Sequence, residues 1–162
     1  MPTQNRRTRI LVAVLAATMA LVAVGSPVAA GGGIGGPRPI VLEMAERRAD
    51  DGSLLVHFFM NANHNPYVCA AGLQNDRDPF EWIDNGDGTA NVTLGKELVC
   101  PRGSVYAVMH IYIDFNAGSE STTWEITGGT GPYKTLHGTG TAGTPMVIGG
   151  IKFGAWTGVI DR

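Results

Sequence analysis

Four side chains near the middle of the chain have the types and spacing for chemistry. Tyr106, His110, Tyr112 and Asp114 alternate with Ala107, Met109, Ile111 and Ile113. On a β-strand, alternate residues share a face at intervals of about 6.5–7 Å. Turned into a barrel, that face would offer two phenols, an imidazole and a carboxylate to a small ligand, with Trp124 on a neighbouring strand. A His–Asp arrangement of this kind suits acid–base chemistry. The competing expectation puts the polar face in water and the apolar one in the core, the usual arrangement of a half-buried strand.

Other chemistry finds less support. His57 sits between apolar neighbours and is read as a core residue, while His64 and His137 fall in expected loops. No two histidines have ligand spacing, so neither a metal nor another cofactor is expected. Asp84-Asn85-Gly86-Asp87-Gly88-Thr89 places glycines where a calcium loop needs oxygens and is read as a hairpin turn. Asn75-Asp76-Arg77-Asp78 is read as a solvated loop. Gly128 to Gly131 lacks the Gly-Lys-Ser/Thr ending of a phosphate loop, and there is no Gly-x-Ser-x-Gly nucleophile element. No catalytic residue is assigned. The sequon Asn91-Val92-Thr93 matters only in a host that glycosylates exported proteins.

The elements that must position these residues begin after a leader. Arg6, Arg7 and Arg9 precede an apolar run from Ile10 to Val24, then Gly25-Ser26-Pro27 and the small residues Val28-Ala29-Ala30. This is the secretory pattern, with cleavage expected near Ala30. Three of the 12 basic residues lie in the leader and all 14 acidic ones beyond it. The remainder is therefore net acidic, which argues against nucleic acid or an anionic membrane as partner. Residues 31–37 are expected to be a flexible glycine-rich N-terminus, and residues 38–162 one domain. Cys69 and Cys100 are the two cysteines, and in an oxidising compartment they are expected to pair.

The chain has 23 glycines in 162 residues, about twice the usual share of roughly 7%. Many lie late, where they suit turns and barrel corners rather than helices. Period-2 alternation marks strands over Val105–Phe115, over Thr122–Thr127 and along Ile151–Ile160. Ser53–Met60 is an apolar run after an Asp-Asp-Gly turn. Val41–Arg48 is read as the first strand of a hairpin, although its residues also suit a short helix. The expected fold is one small antiparallel all-β barrel with one disulfide.

The run Trp124-Glu125-Ile126-Thr127-Gly128-Gly129-Thr130-Gly131-Pro132-Tyr133, continuing through His137-Gly138-Thr139-Gly140-Thr141, resembles the strand–glycine turn–strand element of allene oxide cyclase-like and dirigent-like β-barrels. The resemblance implies architecture, with Gly128, Gly129 and Gly131 giving positive φ in a tight turn. It also implies that Tyr133 covers the barrel end and that Gly138 and Gly140 let the next strand coil. The families' catalytic residues have no matching positions here. The functional expectation is a secreted, non-enzymatic binding or structural module for a small hydrophobic ligand or a protein partner. The rivals are an isomerase- or cyclase-like enzyme acting inside the barrel, and a secreted inhibitor or interaction protein.

Overall fold

The computed structural model describes residues 36–49, 53–60, 65–143 and 145–162. The expected leader over 1–30, most of the 31–37 segment and His64 lie outside them. Nine strands follow in order: β1 (Arg38–Arg48), β2 (Leu54–Met60), β3 (Ala71–Asp84), β4 (Thr89–Cys100), β5 (Gly103–Asp114), β6 (Ser119–Gly129), β7 (His137–Ala142), β8 (Met146–Ile148) and β9 (Ile151–Asp161). Each of β1 to β6 pairs antiparallel with the next in sequence, and β7 pairs with β9. β9 in turn pairs with β1, from Arg38 opposite Ile160 to Glu46 opposite Lys152. β8 lies further along the β9 edge that β7 occupies, Met146 facing Phe153, so the two count as one stave of a closed eight-stranded barrel. The helical alternative for Val41–Arg48 loses because this segment is paired on both edges, with β2 and with β9.

The barrel has two unlike ends. At one end the β4–β5 turn, the segment 65–70 and a 3-10 turn (Gly131–Tyr133) come together, and Tyr67, Val68, Tyr133 and Leu136 are buried there. The Cys69–Cys100 disulfide, Cα atoms 5.8 Å apart, ties the 65–70 segment to the end of β4. Asn65 strengthens the closure: its Nδ2 donates to Pro39 O at 3.1 Å, and its Oδ1 accepts from Tyr67 N at 3.0 Å. The other end carries the β1–β2, β3–β4, β5–β6 and β8–β9 hairpin tips.

The sequence reading needs correction in three places. His137 opens β7, opposite Asp161 of β9, rather than lying in a loop. Asn75–Asp78 is not a loop: it lies within β3, where Gln74, Asn75, Asp76 and Arg77 pair with Leu98, Glu97, Lys96 and Gly95. β4 holds these polar residues extended, β2 reaching only as far as Gln74, and the β4 pairing breaks only between Arg77 and Phe80. Of the turn glycines, Gly128 (φ 140°) and Gly131 (φ 55°) have positive φ and Gly129 does not. Gly129 serves close approach instead, since a Cβ there would lie 2.5 Å from Ser104 O.

Gly138 and Gly140 also serve close approach. Gly140 on β7 faces Gly158 on β9, and a Cβ on either would meet the Trp124 indole at 2.5–2.6 Å. That pair of bare backbones seats Trp124, which stacks on Trp156 with ring centroids 5.8 Å apart and is buried in the core.

Candidate functional site

Directly opposed residues on antiparallel strands share a face, so the pairing register decides which side chains point inward. On β5 the buried residues are Val105, Ala107 and Met109, opposite Leu98, Lys96 and Leu94 of β4. Tyr106, His110, Tyr112 and Asp114 are therefore on the outer wall. Tyr106 lies under Arg77, whose guanidinium carbon is 3.8 Å from the ring centroid. His110 Nε2 stands 4.0 Å from Glu125 Oε1, and both side chains are half exposed. Tyr112 and His110 border a shallow outer groove with Asn91, Thr93, Ser121 and Thr123. Asp114 accepts from the backbone N–H of Asn116 and Ala117, both at 2.9 Å, and shapes the β5–β6 turn. Trp124 points the other way, into the core, where its Nε1–H donates to Thr141 O at 3.1 Å. The structure thus divides the five residues between the two sides of the wall and does not bring them into one site.

The cavity lies inside the hairpin end and measures about 170 Å³. Its apolar surface comes from Met44, Val56, Leu94, Met109, Ile111 and Trp156. Its polar surface comes from Glu46, Gln74, Lys96, Glu120, Thr122 and Lys152. Both lysines of the lining are paired with carboxylates, and Glu120 is held by a hydroxyl. Lys96 bonds Asp76, Lys152 Nζ lies 3.7 Å from Glu46 Oε2, and Thr122 Oγ1 donates to Glu120 Oε1 at 3.2 Å. Below the cavity the stacked tryptophans and the plugged end close the barrel; above it the hairpin tips rise as a rim. Two of the rim hairpins are joined, because Asn116 Nδ2 donates to Asp87 O at 3.0 Å and Phe115 N donates to Gly88 O at 2.9 Å. In the β3–β4 tip, Thr89 Oγ1 donates to Asp87 Oδ1 at 2.6 Å. That bond, the largest influence on it, holds the Asp87 carboxyl below the ordinary carboxylate range.

No protein-family model, curated protein or solved structure matches the chain. The residues of the site therefore stand on geometry alone.

None of the cavity's polar residues was singled out by sequence reading, yet a signal existed. Along β4 the inward register runs Val92, Leu94, Lys96, Leu98, and along β1 it runs Ile40, Leu42, Met44, Glu46. A charged residue that interrupts an apolar period-2 register marks where the wall stops facing core and begins to face a cavity.

The rim is apolar. Phe80 is 68% exposed, Trp82 51% and Phe115 59%, with the Trp82 and Phe115 rings 6.4 Å apart. Met146, Val147 and Ile148 of β8 are exposed at the same end.

Proposed function

We propose that this chain is a secreted, non-enzymatic binding module that takes a small, largely apolar molecule into the mouth of its barrel. The observation that supports this is an open cavity of about 170 Å³ above a sealed floor. An apolar cavity of about 150 Å³ accepts benzene, so the space suits one ring or a short chain, and the apolar rim would receive whatever protrudes. The architecture is compatible with the allene oxide cyclase-like and dirigent-like barrels. Membership there is proposed on the Trp124–Thr141 element alone. Secretion is proposed on the leader and on the Cys69–Cys100 bond, a pairing that oxidising compartments favour. Among the described residues no helix is long and apolar enough to cross a membrane.

The test is thermal unfolding with a panel of neutral compounds about the size of benzene. A ligand at a hundred times its Kd stabilises by about 2.7 kcal/mol, which a melting curve resolves. Ala142→Phe, which fills the cavity, removes the response. A panel in which nothing raises Tm sinks the proposal.

A second reading, an inhibitor or interaction protein, is favoured by the exposed Phe80, Trp82 and Phe115 cluster, since contiguous exposed aromatics mark contact surfaces. Tyr67 takes no part in this cluster, being buried at the sealed end. The isomerase- or cyclase-like alternative draws no support from the cavity, because Tyr106, His110 and Tyr112 point away from it.

A further inference from the structure

Four polar side chains are buried among the described residues: Asn65, Gln74, Thr89 and Thr122. Three have evident partners. Asn65 bonds backbone at the sealed end, Thr89 bonds Asp87, and Thr122 bonds Glu120. Gln74 differs. It is 7% exposed, its Oε1 has no hydrogen-bond partner, and its side chain lines the cavity. A buried carbonyl oxygen left without a donor is costly, and native interiors hold few of them. Its inward neighbours across the sheet, Val56 on β2 and Leu98 on β4, have apolar side chains and cannot supply a donor.

The surrounding charges narrow what can. Lys96 and Lys152 are each already paired with a carboxylate, so the lining offers no free cation for an anionic ligand. The unmet demand is one neutral acceptor beside an apolar surface. The terminal torsion of a glutamine is broad and soft, so its oxygen can swing toward a donor that enters the cavity.

We propose that the cavity selects neutral molecules carrying a hydroxyl group on an apolar body, with the hydroxyl donating to Gln74 Oε1. This rests on the cavity being a ligand site, and goes further by naming the group it recognises.

The experiment compares cyclohexanol with cyclohexanone, which have the same number of heavy atoms but differ in that only the alcohol donates. Binding is read from the methyl NMR shifts of Met44 and Met109, both of which line the cavity. The wild-type chain is expected to bind the alcohol about tenfold more tightly, equivalent to about 1.4 kcal/mol. Gln74→Met, which keeps the length of the side chain and removes the acceptor, is expected to bind the two equally. Equal binding by the wild type overturns the hydroxyl requirement while leaving the cavity as a ligand site, and needs no variant to fold. A full alcohol preference retained in Gln74→Met also overturns it. Absence of any shift at Met44 and Met109 with either compound overturns both this inference and the function it rests on.

Discussion

Changing Gln74 to methionine should make the empty barrel more stable, although it deletes a polar group that sequence reasoning would place at the surface. In the unfolded chain the Gln74 carbonyl is hydrated; in the barrel it is enclosed without a donor. Removing an unsatisfied buried acceptor recovers a desolvation cost of about 1–3 kcal/mol. Methionine has nearly the same length and adjusts to irregular space, so little packing is lost. For a domain of this size 1 kcal/mol corresponds to roughly 4 °C, which puts the expected rise in Tm at about 4–12 °C. Circular dichroism melts give Tm, and urea titrations with an unchanged slope establish that the gain is native-state stability. Thr122→Val is the control, because it deletes a buried hydroxyl that does have a partner, Glu120, and should be neutral or destabilising. If Gln74→Met melts at or below the wild-type temperature, the oxygen is satisfied in the free protein and the reasoning fails.

Four further outcomes are expected. Breaking the disulfide by Cys69→Ala with Cys100→Ala removes a cross-link spanning 31 residues; the chain-entropy estimate is a loss of about 3–4 kcal/mol, and a urea midpoint within error of wild type would contradict it. Gly140→Ala puts a Cβ 2.0 Å from Thr157 O and 2.5 Å from the Trp124 ring; the strain should lower Tm by well over 5 °C, roughly the equivalent of 1 kcal/mol or more, and an unchanged melt would show that β7 has slack. Thr89→Val removes the principal hydrogen bond that depresses the Asp87 pKa. Carboxyl NMR should therefore find Asp87 titrating nearer the ordinary range. Because the folded pKa is the lowered one, this contribution to stability is present above the ordinary carboxylate pKa and lost as pH falls through the folded value. Tyr112→Ala and His110→Ala, both on the outer wall, should change the affinity of a cavity ligand by less than about twofold, measured by the same methyl shifts; a large loss would mean that the outer groove takes part.

Fold and site were legible to different degrees. Val105–Phe115 could be read as a strand because every second residue is apolar, and the cysteine pair followed from there being no other partners. Which face turns inward on β9 was harder. Its apolar residues Phe153 and Val159 lie on the outer side, Val159 exposed, while Trp156 and Ile160 are buried on the other with Lys152 in the cavity lining. Glycines at 154 and 158 occupy inward positions, so hydrophobicity alone points the wrong way. β3 was missed in part because Gln74 to Asp78 is polar throughout; β4 supplies the pairing that holds it extended, with β2 reaching only Gln74. The site was missed for the same physical reason. Polar residues inside a barrel break the rule that polar means exposed, and only the register shows that Gln74, Lys96 and Lys152 share an interior.

Because β1 and β9 are neighbours, with Arg38 opposite Ile160, the two extremities of the described chain emerge side by side beneath the plugged floor. A short Gly-Ser linker could join Gly36 to Arg162 and the backbone could be reopened at Gly149–Gly150, yielding a circular permutant whose stave order is unchanged. The same arrangement favours tethering the protein to a sensor surface by its last residue, since an immobilised barrel would then present its entrance to the solution.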